Sequence, residues 1–385
     1  MQRCKLTCDG VLTSRYFDHL KNGSRKQLSP SRCTFAMEPA ALGNDRGQAK
    51  ACPTGGEDGE LMWASAAHLT FHAPSHSLTC MRFRIALLFV AALCVAAAEL
   101  KSGPPLDYRV VPGWAQLPKG WNFGECSGVD VDKDDNVWVY NRGTHPVMQF
   151  DKSGRLLQAW PDVPVQSSHG IRVDNEGNIW TVDVGAHRLV KFSPSGQVLM
   201  VIGGVRGAAG KDNDVKDAFN QPTDITFAPG GDMFVSDGYV NSRVIKFNKD
   251  GEYLKHWGKK GTGDGEFNLV HDVALDSRGR LYVADRNNQR VQIFDQNGAF
   301  LGKWTGLGAP WGLYSVQREN ALYMCDGLND RILKLNLEGQ ILGVLGSHGK
   351  VPGKLDFPHN LAVDSSGAIY VAEIKNWRVQ KFIPK

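Results

Sequence analysis

Six stretches of the chain can be written beneath one another: SGVDVDKDDNVWVYNRGTHPVMQFDKSG from Ser127, HGIRVDNEGNIWTVDVGAHRLVKFSPSG from His169, TDITFAPGGDMFVSDGYVNSRVIKFNKDG from Thr223, HDVALDSRGRLYVADRNNQRVQIFDQNG from His271, WGLYSVQRENALYMCDGLNDRILKLNLEG from Trp311 and HNLAVDSSGAIYVAEIKNWRVQKFIPK from His359. Their starts lie 40 to 54 residues apart. A period of this length means stacked copies of one supersecondary unit, none of which can bury its apolar face alone. Each copy reads as a strand, a tight D-x-x-G-type turn, a strand, a polar loop, a third strand, and an N-G or S-G turn into a fourth apolar run such as Val198–Ile202 or Tyr253–Trp257. The fold class predicted is therefore all-β, a six-bladed β-propeller with four-stranded blades over residues 105–385. The last copy stops after its third strand. Tyr108–Val111, ahead of the first copy, is expected to supply the missing strand and close the ring.

Two columns recur in five of the copies. An acid ends the second strand (Asp183, Asp237, Asp285, Asp326, Glu373) and an arginine opens the third (Arg188, Arg243, Arg290, Arg331, Arg378). Five repetitions of one pair predict an ion pair or hydrogen bond internal to each blade. In this pattern the chain resembles the NHL-repeat propellers. A feature that every blade needs is structural, so a site must be sought where the copies differ.

Charge narrows the partners. The formal net charge is only +4 over 385 residues and no run of lysine or arginine accompanies it, which argues against nucleic acid and an anionic membrane. Met81-Arg-Phe-Arg84, the apolar run Ile85–Ala98 and its A-x-A ending read as a secretory signal peptide over 81–98, with a short membrane anchor as the alternative. Met81 is then the expected start, and residues 1–80 a disordered, non-native upstream extension or, alternatively, an unusual pro-region. The propeller is expected to be secreted, to the extracellular space or periplasm, and monomeric. Five of the eight cysteines fall in residues 1–80. Beyond the signal only Cys126 and Cys325 remain; they lie in non-adjacent repeats and are predicted to be buried thiols.

The copies differ first at the head of the innermost strand, where the six blades carry Ser127, His169, Thr223, His271, Trp311 and His359. Histidine thus stands in alternate blades, about 120° apart around the axis on the strand that lines the channel. Three converging imidazoles with an open fourth position are the layout of a catalytic zinc; channel histidines bonded to backbone or water are the plainer alternative. The copies differ again just after the acid column. Arg142 and Arg286 occupy that position in blades one and four, opposite each other, and Tyr239 lies beside them in blade three. Two guanidiniums over a metal suit a carboxylate-bearing substrate, and a phenol beside a cation can accept a proton.

These residues sit in strings that resemble the peptidyl-α-hydroxyglycine α-amidating lyases (peptidylamidoglycolate lyases): NRGTH at Arg142, HGIRVD at His169, QPTDITF at Gln221, DGYVNSR at Tyr239, VHDVAL at His271, VADRNNQR at Arg286 and FPHNLAV at His359. The resemblance spans nearly all of Tyr108–Lys385. It implies zinc bound by His169, His271 and His359, a catalytic set of Arg142, Tyr239 and Arg286, and cleavage of a peptidyl-α-hydroxyglycine, or a related amidoglycolate, to an amide and glyoxylate. It also implies a structural calcium. Here the family's aspartate ligand is replaced by Asn360 and a methionine by Phe357, which leaves the Asn360 amide oxygen and the Ile171 carbonyl as calcium ligands. Two other readings stay open: a non-catalytic NHL propeller serving as a protein-interaction platform, and a lactonase-like metal hydrolase. The last usually holds calcium through Glu, Asn and Asp, where this channel offers histidine.

Overall fold

In a computed structural model the described residues are 100–204, 207–209, 213, 215–216, 218–385. The expected signal peptide at 81–98 and the expected upstream extension at 1–80 lie outside the described residues. The described residues form six four-stranded antiparallel sheets, each with its strands in sequence order except the last. That sheet is completed from the other end of the domain. Tyr108–Val111 pairs antiparallel with Arg378–Pro384, from Tyr108 opposite Pro384 to Val111 opposite Lys381, as the sequence predicts.

Burial explains why the strands look different in sequence. The second strand of a blade is covered on both faces by its neighbours, so every residue of Val137–Asn141, Met233–Asp237 and Leu281–Asp285 is buried and the run is almost wholly apolar. The fourth strand lies at the rim: in Phe300–Thr305 four residues are exposed and only Gly302 and Trp304 are half-buried. Between blades the packing is aromatic: Trp138 and Trp160 of blade one meet Phe192 of blade two, with ring centroids 5.3–5.4 Å apart along the chain of contacts. Each such ring, fully buried, contributes about 1.5–3 kcal/mol.

The repeated acid–arginine columns form ion pairs inside five blades, at 2.9 Å for Arg243–Asp237, 2.6 Å for Arg290–Asp285, 2.8 Å for Arg331–Asp326, 2.7 Å for Arg378–Glu373 and 3.8 Å for Arg188–Asp183. Each arginine also donates to carbonyls of the segment entering its blade, for example Arg290 to Thr262, Gly263 and Glu266. The pair therefore anchors the inter-blade crossing to the sheet. Cys126 and Cys325 are both buried free thiols.

The inner strands carry one further shared irregularity. Each is bulged near its start, with register shifts between Cys126 and Gly128, Ser168 and Ile171, Pro222 and Asp224, Val270 and Val273, Pro310 and Gly312, and Pro358 and Asn360. The residues skipped include Ser127, His169, Thr223, His271, Trp311 and His359. These are second residues of their strands rather than first, and the bulge frees each to leave the ladder and point elsewhere.

Candidate active site in the central channel

His169, His271 and His359 come together. Their ring centroids are 4.7, 4.7 and 4.9 Å apart, and one ligand nitrogen from each lies within 4.8 Å of the others. All three are buried. The Nδ1 atoms face the backbone carbonyls of Thr223, Trp311 and Ser127 at 2.7, 2.7 and 2.6 Å. A carbonyl can only accept, so Nδ1 carries the proton and each Nε2 keeps its lone pair for the channel. Each carbonyl belongs to the channel-facing residue of the next blade, so the ring itself orients the rings.

The electrostatics favour neutral imidazoles. Burial pushes His169 and His271 well below the ordinary histidine range and His359 down to about 3. Charge on neighbouring imidazoles adds to the effect at His169 and His271, and Arg286 adds to it at all three. Neutral, tautomerically fixed imidazoles with convergent Nε2 atoms fit a metal that takes three nitrogen ligands.

The other three predicted residues lie against this tier. The Tyr239 hydroxyl is 3.3 Å from His169 Nε2 and 3.2 Å from His271 Nε2. The Arg286 guanidinium stacks 4.1 Å from the Trp311 ring centroid and 5.4 Å from that of Tyr239. Burial lowers its pKa from the usual arginine value; its Nε donates to Asn287 Oδ1 at 3.2 Å, and among the described residues it makes no ion pair with a carboxylate. Arg142 differs. It pairs with Glu125 and donates to the Ser168 carbonyl at 3.3 and 3.4 Å. The two guanidiniums that look alike in sequence are thus unlike: one is balanced by an acid, the other is an open cation over the imidazoles.

The model of the NHL repeat matches residues 267–294, the three inner strands of blade four. A human protein, NHL repeat-containing protein 3, is 32% identical over 301 residues, covering 72% of this chain and 84% of its own length. The chain belongs to the NHL repeat-containing protein 3 family. Peptidyl-alpha-hydroxyglycine alpha-amidating lyase 1 of Drosophila melanogaster is also similar, at 31% identity over 191 residues, covering 43% of this chain and 35% of its own. Among solved structures, a streptogramin B lyase superposes with a TM-score of 0.53 at 16% identity over 72% of this chain and 98% of its own, a likeness of fold. The alignment that covers most of the chain is thus with NHL repeat-containing protein 3, while that with the Drosophila lyase covers less than half of it.

Within this family member, several site residues were not singled out from the sequence. Trp311 walls the channel, 4.8 Å from His271 and 5.5 Å from His359. Its presence in the histidine column was the available signal. Glu125, the partner of Arg142, gave none, since it precedes the first repeat. Gly238 seats Tyr239: a Cβ there would overlap the Val270 carbonyl, one residue before His271. Gly238→Ala is expected to cost about 1–3 kcal/mol and to move Tyr239 off the imidazoles. Gly230→Ala, with open space around its Cα, should leave the thermal midpoint unchanged. A calorimetric comparison of the two variants checks this.

Proposed function

We propose that this protein is a secreted, zinc-dependent lyase that cleaves a peptidyl-α-hydroxyglycine, or a related amidoglycolate, to an amide and glyoxylate. The observation that carries the reading is the trio of neutral imidazoles with convergent Nε2 atoms, touched by the Tyr239 hydroxyl and overlooked by the unpaired Arg286. The similarity to the Drosophila lyase supports it.

His169, His271 and His359 would hold the zinc, which would supply Lewis-acid polarisation of the substrate hydroxyl. Arg286 binds the substrate carboxylate: a desolvated guanidinium without an acid of its own is the better anion site, whereas Arg142 must first give up Glu125. Tyr239 Oη, which touches two of the imidazoles, would pass the hydroxyl proton to the departing amide nitrogen. The C–N bond then breaks, the C–O bond becomes a carbonyl, and no proton is gained or lost overall. Arg142, on the same rim, offsets negative charge that develops in the step.

Metal analysis of the purified protein should find about one zinc per chain, with glyoxylate released from a peptide ending in α-hydroxyglycine. Tyr239→Phe should keep the zinc and lower turnover roughly 10²- to 10⁴-fold. Absence of bound zinc would favour the second reading, a non-catalytic interaction platform. That reading draws on exposed apolar loop residues, Leu328, Val351 and Trp377, and on a relative aligned over 72% of this chain whose name carries no reaction.

A further inference from the structure

Beneath the imidazoles the channel holds a second polar tier. One residue on from the histidine column, the inner strands carry Gly128, Gly170 and Gly312 in blades one, two and five, and Asp224, Asp272 and Asn360 in blades three, four and six. Arg172, also on blade two, fills the space between these side chains. Its Nη2 donates to Asp224 Oδ2 at 2.7 Å, to both Asp272 oxygens at 3.3 and 3.2 Å, and to the Leu313 carbonyl at 3.3 Å. Its Nη1 donates to Asn360 Oδ1 at 3.2 Å. Asn360 Nδ2 then bridges Asp224 and Asp272, at 3.2 Å to each. None of these four side chains belongs to a residue more than 6% exposed.

Two carboxylates, an amide oxygen and a backbone carbonyl from four different blades are hard oxygen donors, the set that suits calcium. Here they converge on a guanidinium. The structural calcium implied by the lyase resemblance would need the Asn360 amide oxygen, and that oxygen already accepts from Arg172. A divalent cation cannot share these oxygens with a fixed positive charge a few ångströms away. The residues present do not fit a bound calcium.

We infer that Arg172 is a built-in cation for the lower channel: its guanidinium joins four blades in place of a metal, and the cage of Asp224, Asp272, Asn360 and the Leu313 carbonyl becomes a calcium site only when that guanidinium is removed. Gly170 serves the same end, since a Cβ there would come within 2.8 Å of the Asp224 carboxylate. Unlike zinc in the upper tier, this cross-link cannot be lost to chelation or dilution.

Two measurements test it. Wild-type protein equilibrated with millimolar calcium and then desalted should retain none by elemental analysis, and its thermal midpoint should not respond to added calcium. Arg172→Ala should melt lower, and millimolar calcium should raise its midpoint by about 5 °C or more. Adding Asp272→Asn should abolish that gain. One calcium per wild-type chain, with a calcium-dependent midpoint, would overturn the inference by itself, even if Arg172→Ala did not fold. A folded Arg172→Ala indifferent to calcium would overturn the latent site. Arg172→Lys, which keeps one positive charge, should stay calcium-indifferent; a calcium response there would count against the substitution of charge for metal.

Discussion

His169→Ala is expected to remove bound zinc and to lower glyoxylate release on the order of 10³-fold or more, equal to about 4 kcal/mol. Three imidazoles from alternate blades leave no spare nitrogen nearby: among the described residues, the other metal-competent group is Asp330, His348 and Asp356, away from this tier. Loss of one ligand leaves a two-nitrogen site lined by Trp311, which cannot substitute. The fold should survive, because the side chain makes two hydrogen bonds, to the blade-three carbonyl of Thr223 and with the Tyr239 hydroxyl, each worth about 1 kcal/mol. Elemental analysis, a glyoxylate assay and a melting curve on one preparation separate these effects. His348→Ala, at an exposed histidine paired with Asp330, is the control and should keep both zinc and activity. If His169→Ala kept its metal and its activity, the channel would not be the metal centre.

Most of the fold was legible because a repeat states its architecture six times. The strand order, the closing strand and the acid–arginine pairs all follow from the alignment of copies. The imidazole tier was legible for the opposite reason, as an exception that recurs in every second blade. The tier below it was just as visible in principle. Asp224, Asp272 and Asn360 share one column of that alignment, and Arg172 stands three residues after His169. What the sequence could not show is that the bulge at each strand head turns both the histidine column and its successor toward the axis. In a regular strand successive side chains take opposite faces, so the acids would have been placed away from the channel. The unlike character of Arg142 and Arg286 was hidden for a different reason: ion pairing depends on Glu125, outside the repeat.

The structural pairs make a second strong expectation, because five copies of one interaction differ in burial. Arg243 is fully buried; it donates to Asp237 at 2.9 Å, to the Val215 and Ala218 carbonyls at 2.6 and 2.7 Å, and to the Asn213 carbonyl. Arg243→Ala leaves a buried carboxylate and three carbonyls without this donor, at a cost of about 3–5 kcal/mol, or a fall of roughly 6–15 °C in the melting midpoint. Arg188 lies 3.8 Å from Asp183 and its side chain is 26% exposed. Asp183 there accepts from the backbone N–H groups of Gln166, Ser167, Gly185 and Ala186, so its charge is satisfied without the arginine. Arg188→Ala should cost about 0–1 kcal/mol. The pH response distinguishes the two further. Burial already raises the pKa of Asp237, and Arg243 is the charge that opposes this. Without it the folded state holds the carboxyl proton more tightly than the unfolded chain, so stability is lost as pH rises through the window between the unfolded and folded values. Arg243→Ala should therefore recover part of its melting temperature as the pH is lowered from neutral toward about 5, while Arg188→Ala should track the wild type. Equal losses in the two variants would mean that the repeated pair contributes through its geometry alone and not through its burial.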